Sequence, residues 1–103
     1  MSRNYEVQVE VFPCTQQQSI TIATVLGKWG MTVEGETECF DDNYDDGWSY
    51  WGSSQLCGGQ TEQERHESLR ALLPEHSINT RWRWVDELSW DEELFSEPLT
   101  TPA

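Results

Sequence analysis

Glu62 and His66 stand four residues apart, the spacing that puts two side chains on one face of a helix. An imidazole beside a carboxylate is a common pair for general acid–base work. Glu64 and Glu67 crowd the same stretch, and His76 follows Pro74 in a loop. The plainer account is a solvated acidic helix face, with His66 at the border of the buried side. Cys57 lies beside Gly58-Gly59 near a helix start, where a thiol pKa is lowered. A small buried hydrophobe is the plainer account there too. No serine or cysteine stands in a recognised nucleophile motif. An enzyme would need His66, His76 or Cys57 to meet a carboxylate in one cleft. No catalytic residue is assigned, and the chain is read as non-enzymatic.

The run DDNYDDG, Asp41 to Gly47, invites a calcium reading. An EF-hand loop needs glycine at its sixth position and glutamate at its twelfth. Counted from Asp41, those positions hold Asp46 and Gly52, so the pattern fails at both. Cys14, Cys39 and Cys57 include no CxxC and no Cys–His cluster, which describes neither a zinc site nor a disulfide framework. One bridge between two of them stays open. Gly58-Gly59 ahead of a helix suggests a phosphate cradle. Glu62 and Glu64 already occupy that positive end, and there is no Walker lysine or GxGxxG. Neither a metal nor a cofactor is assigned.

The charge is more informative. Nineteen acids face six bases, giving a formal charge of −13 over 103 residues. Such a field repels free nucleic acid, whose binders need basic footprints. It attracts a basic protein surface and speeds the encounter. The plain alternative is that the charge only keeps the chain in solution. Hydrophobic residues make up 36% of the chain, yet six tryptophans and regularly spaced Val, Ile and Leu argue for a folded domain. There is no apolar N-terminal segment and no run of membrane-spanning length. A cytoplasmic, reducing setting is the expectation.

Several elements must position these residues. Tyr5, Val7, Val9 and Val11 alternate with polar residues, the period of a half-buried strand that Pro13 ends. Thr15 and Gln18 have capping-box spacing and open a helix of about a dozen residues, with Ile22, Leu26 and Trp29 on one face. Met31 to Phe40 alternates again, with Glu34, Glu36 and Glu38 on one face of an edge strand guarded by like charge. The acidic loop leads into a second strand at Trp48–Gly52, which closes a hairpin. Thr61 and Glu64 cap a helix over 62–73 that Pro74 stops. Ile78 to Val85 supplies a last strand, with Trp82 and Trp84 on one face and Arg81, Arg83 and Val85 on the other.

The order predicts an α+β domain over residues 1–85 with ferredoxin-like βαββαβ topology. Its four-stranded antiparallel sheet would run 4-1-3-2, with both helices on one face and the other face open. Arg81 and Arg83 would then pair with Glu6 and Glu10 on the neighbouring strand. Residues 86–103 form an acidic aromatic tail, in which Ser89 and Glu92 have the spacing to cap a short helix. Alternatively the tail packs back over Trp51 and Val85.

The run YWG…LCGGQTEQERHESL resembles small uncharacterised bacterial proteins carried on plasmids and phages. The likeness covers about a third of the chain and is structural. It implies a mobile-element origin and transfers no activity.

The functional expectation is an acidic interaction protein that binds a basic surface, as a nucleic-acid mimic or an inhibitor of a nucleic-acid-handling complex. Asp41, Asp42, Asp45 and Asp46 would supply one part of the surface, and Trp90, Asp91, Glu92, Glu93 and Phe95 the other. The runner-up is a small-ligand or regulatory module using Trp51, Arg81 and Arg83 on the open sheet face. A homodimer is also expected to be feasible, because an open face with aromatics needs cover.

Overall fold

The computed structural model describes residues 3–41, 44–56, 60–84 and 92–98. Its elements are β1 (Arg3–Phe12), α1 (Gln16–Trp29), β2 (Met31–Asp41), β3 (Tyr44–Leu56), α2 (Glu62–Leu72), β4 (Ser77–Trp84) and β5 (Glu92–Ser96). All strand pairs are antiparallel, and the sheet order is β2-β3-β1-β4-β5. The first four strands therefore keep the expected 4-1-3-2 order. A fifth strand on the β4 edge makes the order βαββαββ, which is not strictly ferredoxin-like.

That fifth strand comes from the stretch expected to be a tail. Residues 92–96 are neither a helix nor a cover for the open face: they extend the sheet sideways, pairing Thr80 with Leu94 and Ile78 with Ser96. An unpaired β4 edge offers backbone donors and acceptors that a short alternating segment satisfies. Val85, Ser89, Trp90 and Asp91 lie outside the described residues, as do Asp42, Cys57 and Gly58-Gly59.

Alternation decides the faces. Tyr5, Val7, Val9 and Val11 of β1 point under the helices with Trp48, Tyr50, Ile78, Thr80 and Trp82, and all are buried. Ile22, Leu26 and Trp29 of α1 and Leu69 of α2 close the core from above. Trp29 meets Trp82 edge-on at 5.9 Å between ring centroids, and Tyr5 meets the same indole at 6.0 Å.

Both helix starts follow from side chains. Thr15 accepts from the Gln18 backbone N–H while Gln18 reaches back to the Thr15 N–H, the reciprocal box its spacing predicts. Thr61 accepts from the Glu64 N–H in the same way. Gly30 ends α1 at φ +113°, a left-handed conformation that glycine takes without strain. Among the described residues no helix is long and apolar enough to cross a membrane.

The three glutamates of β2 do not share one face. The register shifts between Val33 and Gly35, so Glu34 is an extra residue opposite the Gly52–Trp51 step of β3. One inserted residue sends every later side chain to the other side of the sheet. Glu36 and Glu38 therefore pair with Tyr50 and Trp48 on the helix side, while Thr32, Gly35, Thr37 and Cys39 line the open face. Gly52 makes room for this bulge, because a Cβ there would overlap the Thr32 carbonyl oxygen.

Candidate functional site

The hairpin of β2 and β3 concentrates exposed negative charge. Glu34, Glu36, Glu38, Asp41 and Asp46 are all exposed, on an outer strand and at the hairpin end. Glu34, Glu36, Glu38 and Asp46 form no ion pair among the described residues. Three arginines are engaged elsewhere. Arg83 pairs with Glu6, Arg81 with Glu93 at 3.1 Å, and Arg70 with Glu67 at 3.5 Å.

Arg65 lies over the Trp29 ring at 4.2 Å from its centroid and donates to the Trp29 carbonyl at 2.7 Å and to Ser54 Oγ at 2.9 Å. A guanidinium at the C-terminal end of α1 also meets the negative end of that helix. Trp29 Nε1 returns a hydrogen bond to the Arg65 carbonyl at 3.0 Å.

The sheet order separates two groups expected to act together. Asp41 and Asp46 lie at the hairpin of β2 and β3, whereas Glu93 and Phe95 lie on β5, the opposite outer strand. Four inter-strand steps of about 4.8 Å put roughly 19 Å between those edges. Glu93 is paired with Arg81, and Phe95 is 54% exposed. The side chains of Asp45 and Glu92 and the whole of Asp42, Trp90 and Asp91 lie outside the described residues.

Trp51, Arg81 and Arg83 do share the open face. The register lays out rows across the sheet: Gly35, Trp51, Gln8, Arg81 and Glu93 in one, and Thr37, Ser49, Glu10, Asn79 and Phe95 in the next. Arg83 faces Glu6 across the ladder as expected. Arg81 pairs with Glu93 of β5 instead of Glu10, because β5 was missing from the expected sheet. Glu10 accepts from Asn79 Nδ2 at 3.1 Å. Trp51 lies over Gly35, where a Cβ would overlap its ring, and stays 43% exposed.

A hollow of about 110 Å³ opens at the N-terminal end of α1, lined among others by Cys14, Glu38, Phe40, Asp46 and Trp48. Burial, with Glu36 and Asp46 nearby, pushes the Cys14 thiol up to about 11. Burial and the adjoining Glu10 carboxylate push Cys39 up to about 12. Both thiols stay protonated near neutral pH and are poor nucleophiles. No group of three or more His, Cys, Asp or Glu side chains placed to hold a metal ion occurs among the described residues.

His66 is not at a border. It is buried, with Nδ1 2.7 Å from Thr80 Oγ1 and Nε2 2.6 Å from Ser96 Oγ. Trp82 Nε1 donates to the same Thr80 hydroxyl at 3.0 Å. The ring joins α2 to β4 and β5, and desolvation holds its pKa below the usual value. His76 turns its Nδ1 to the Pro13 carbonyl at 2.8 Å. The two histidines thus serve separate contacts. The role of His66 was hidden because Thr80 and Ser96 are distant in sequence. The signal available was the alternation of Leu94 and Ser96 with Glu93 and Phe95, which marks a strand.

Comparison with protein-family models, with curated proteins and with solved structures finds no match to this chain.

Proposed function

We propose that this protein is a non-enzymatic binding protein that meets a basic surface of another protein through the acidic edge of β2 and the end of the β2–β3 hairpin. The frame is a ferredoxin-like βαββαβ arrangement extended by one strand. The observation that supports the reading is the partition of charge: four exposed carboxylates of the hairpin lack a basic partner among the described residues, while Arg70, Arg81 and Arg83 pair with acids elsewhere.

The hollow beside α1 gives this edge a concave point where two carboxylates, Glu38 and Asp46, adjoin the rings of Phe40 and Trp48. Carboxylates and aromatic faces together suit a guanidinium or an ammonium group. Phe40, 72% exposed, is the aromatic available to a partner. Carboxylates along an edge also stand in for phosphates, and the resemblance to plasmid- and phage-carried proteins directs the proposal to a nucleic-acid-handling complex.

The test is affinity capture from the source cell with a salt step, using three baits. One is the wild type. The second carries Glu34→Gln, Glu36→Gln, Glu38→Gln and Asp46→Asn. The third carries Glu62→Gln, Glu64→Gln, Glu67→Gln and Glu75→Gln on and after α2, an equal loss of net charge. The reading predicts that proteins bound by the wild type are lost by the second bait and kept by the third. Equal retention by all three, or equal loss by both variants, sinks it.

A further inference from the structure

β2 is an outer strand of 11 residues that pairs with β3 on one side only. An antiparallel strand bonds to each neighbour through alternate residues, so β2 turns a row of N–H and C=O groups outward. Among the described residues no other segment pairs with that side. β5, the other outer strand, has 5 residues, and its Glu93 is held by Arg81. The two edges of the sheet therefore differ. One is short and has its acid paired, while the other is long and carries Glu34, Glu36 and Glu38 without a basic partner among the described residues.

We propose, resting on the acidic-edge function above, that β2 takes a sixth strand: an extended segment of the partner protein with lysine or arginine at alternate positions. The register sets that spacing. Glu36 and Glu38 stand on the helix side, paired with Tyr50 and Trp48, and Thr37 lies between them on the open face. Side chains of an added strand alternate in the same way. Residues two apart on it come beside both glutamates, and the residue between them comes beside Thr37. Such neighbours sit about 5 Å apart at Cβ, within reach of a carboxylate–guanidinium or carboxylate–ammonium pair.

The open side of the same strand supplies a second contact. Trp51 lies over Gly35 and is 43% exposed. A strand beside β2 brings the side chain next to Gly35 against the exposed part of that ring, which suits an aliphatic stem or a guanidinium. Register shifts between Val33 and Gly35 and between Cys39 and Asp41 bound the regular stretch, so the addition spans residues 35–39. Charge also selects the occupant. A second copy continuing the sheet with its own β2 would set glutamate beside glutamate, whereas a basic strand relieves the repulsion along the row.

The experiment titrates the full chain with end-blocked synthetic peptides of about seven residues, an ordinary strand length, and follows amide shifts and hydrogen exchange by NMR. One peptide has arginine at every second position among threonines. Another has the same composition with arginine at every third position. Two more are the alternating peptide N-methylated on one or the other set of alternate amides. The alternating peptide is expected to bind about threefold tighter than its isomer, because it alone meets both glutamates. It should also slow exchange of outward amides within residues 35–39. Methylating the set turned toward β2 is expected to cost roughly tenfold in affinity, and methylating the other set to cost little. The variant with Glu34→Gln, Glu36→Gln, Glu38→Gln and Asp46→Asn separates this mode from the acidic-edge function itself. Equal affinity for the two arginine spacings, with both lost in the variant, keeps the acidic edge and overturns the added strand. So does an absence of protection at residues 35–39, or indifference to which amides are methylated. Peptide affinity unchanged in the variant overturns both.

Discussion

His66 shows how a residue typical of active sites ends as a structural member. Its ring is enclosed by Thr80, Ser96 and the α2 turn, and both nitrogens are hydrogen-bonded. A neutral imidazole can donate through one nitrogen and accept through the other, which suits two hydroxyls; a charged ring must donate twice. Burial lowers the pKa, Glu67 works against it by favouring the charged form, and Arg70 adds to the lowering. The unfolded chain therefore takes up the proton first. The His66 contribution is fully present above about pH 6.5 and is lost as pH falls toward the lowered folded value. Urea midpoints of the wild type should fall from pH 7.5 to pH 5.5 relative to His66→Gln. Parallel pH profiles for the two proteins would contradict this.

Arg65 is the second residue whose work is legible only in the structure. It ties the end of α1 to α2 and to β3 through Trp29 and Ser54. Arg65→Ala removes two hydrogen bonds and a cation–ring contact, for an expected loss of about 2–3 kcal/mol in urea unfolding. A loss below about 0.5 kcal/mol, the range of ordinary surface changes, would show the lock to be ornamental.

At the scale of elements, alternation and caps carried most of the information. The valines of β1 and the Thr15 and Thr61 caps are local signals, and the folded chain uses each one locally. Two features escaped because they depend on a neighbour. The bulge at Glu34 is invisible in a strictly alternating stretch, since only pairing with β3 shows the extra residue. β5 looked like a tail because acids dominate it, and the vacant β4 edge is what makes it a strand. Gly52 fixes the bulge, so Gly52→Ala is expected to cost about 2–4 kcal/mol, because the obstructing atom is backbone and cannot swing aside. Thermal denaturation that leaves the variant equal to the wild type would remove the bulge from this account. The candidate site was partly legible for the same reason. Composition announced negative charge, but the separation of the hairpin from β5 follows from strand order.

For the whole molecule, the paired arginines lie away from the β2–β3 hairpin. The hairpin edge carries exposed carboxylates without bases, the open face is close to neutral, and the helix layer holds its arginines against acids and carbonyls. The proposed binding of a basic partner belongs to the hairpin edge, where exposed carboxylates without a basic partner among the described residues lie.

The most direct measurement is the affinity for the captured basic partner as ionic strength rises from about 50 to about 200 mM, across which screening of exposed charges strengthens steeply. Wild-type affinity should fall at least tenfold. The hairpin variant should start weaker and respond less. An affinity indifferent to salt, or a hairpin variant with the wild-type profile, would contradict the claim that the acidic edge is the binding surface.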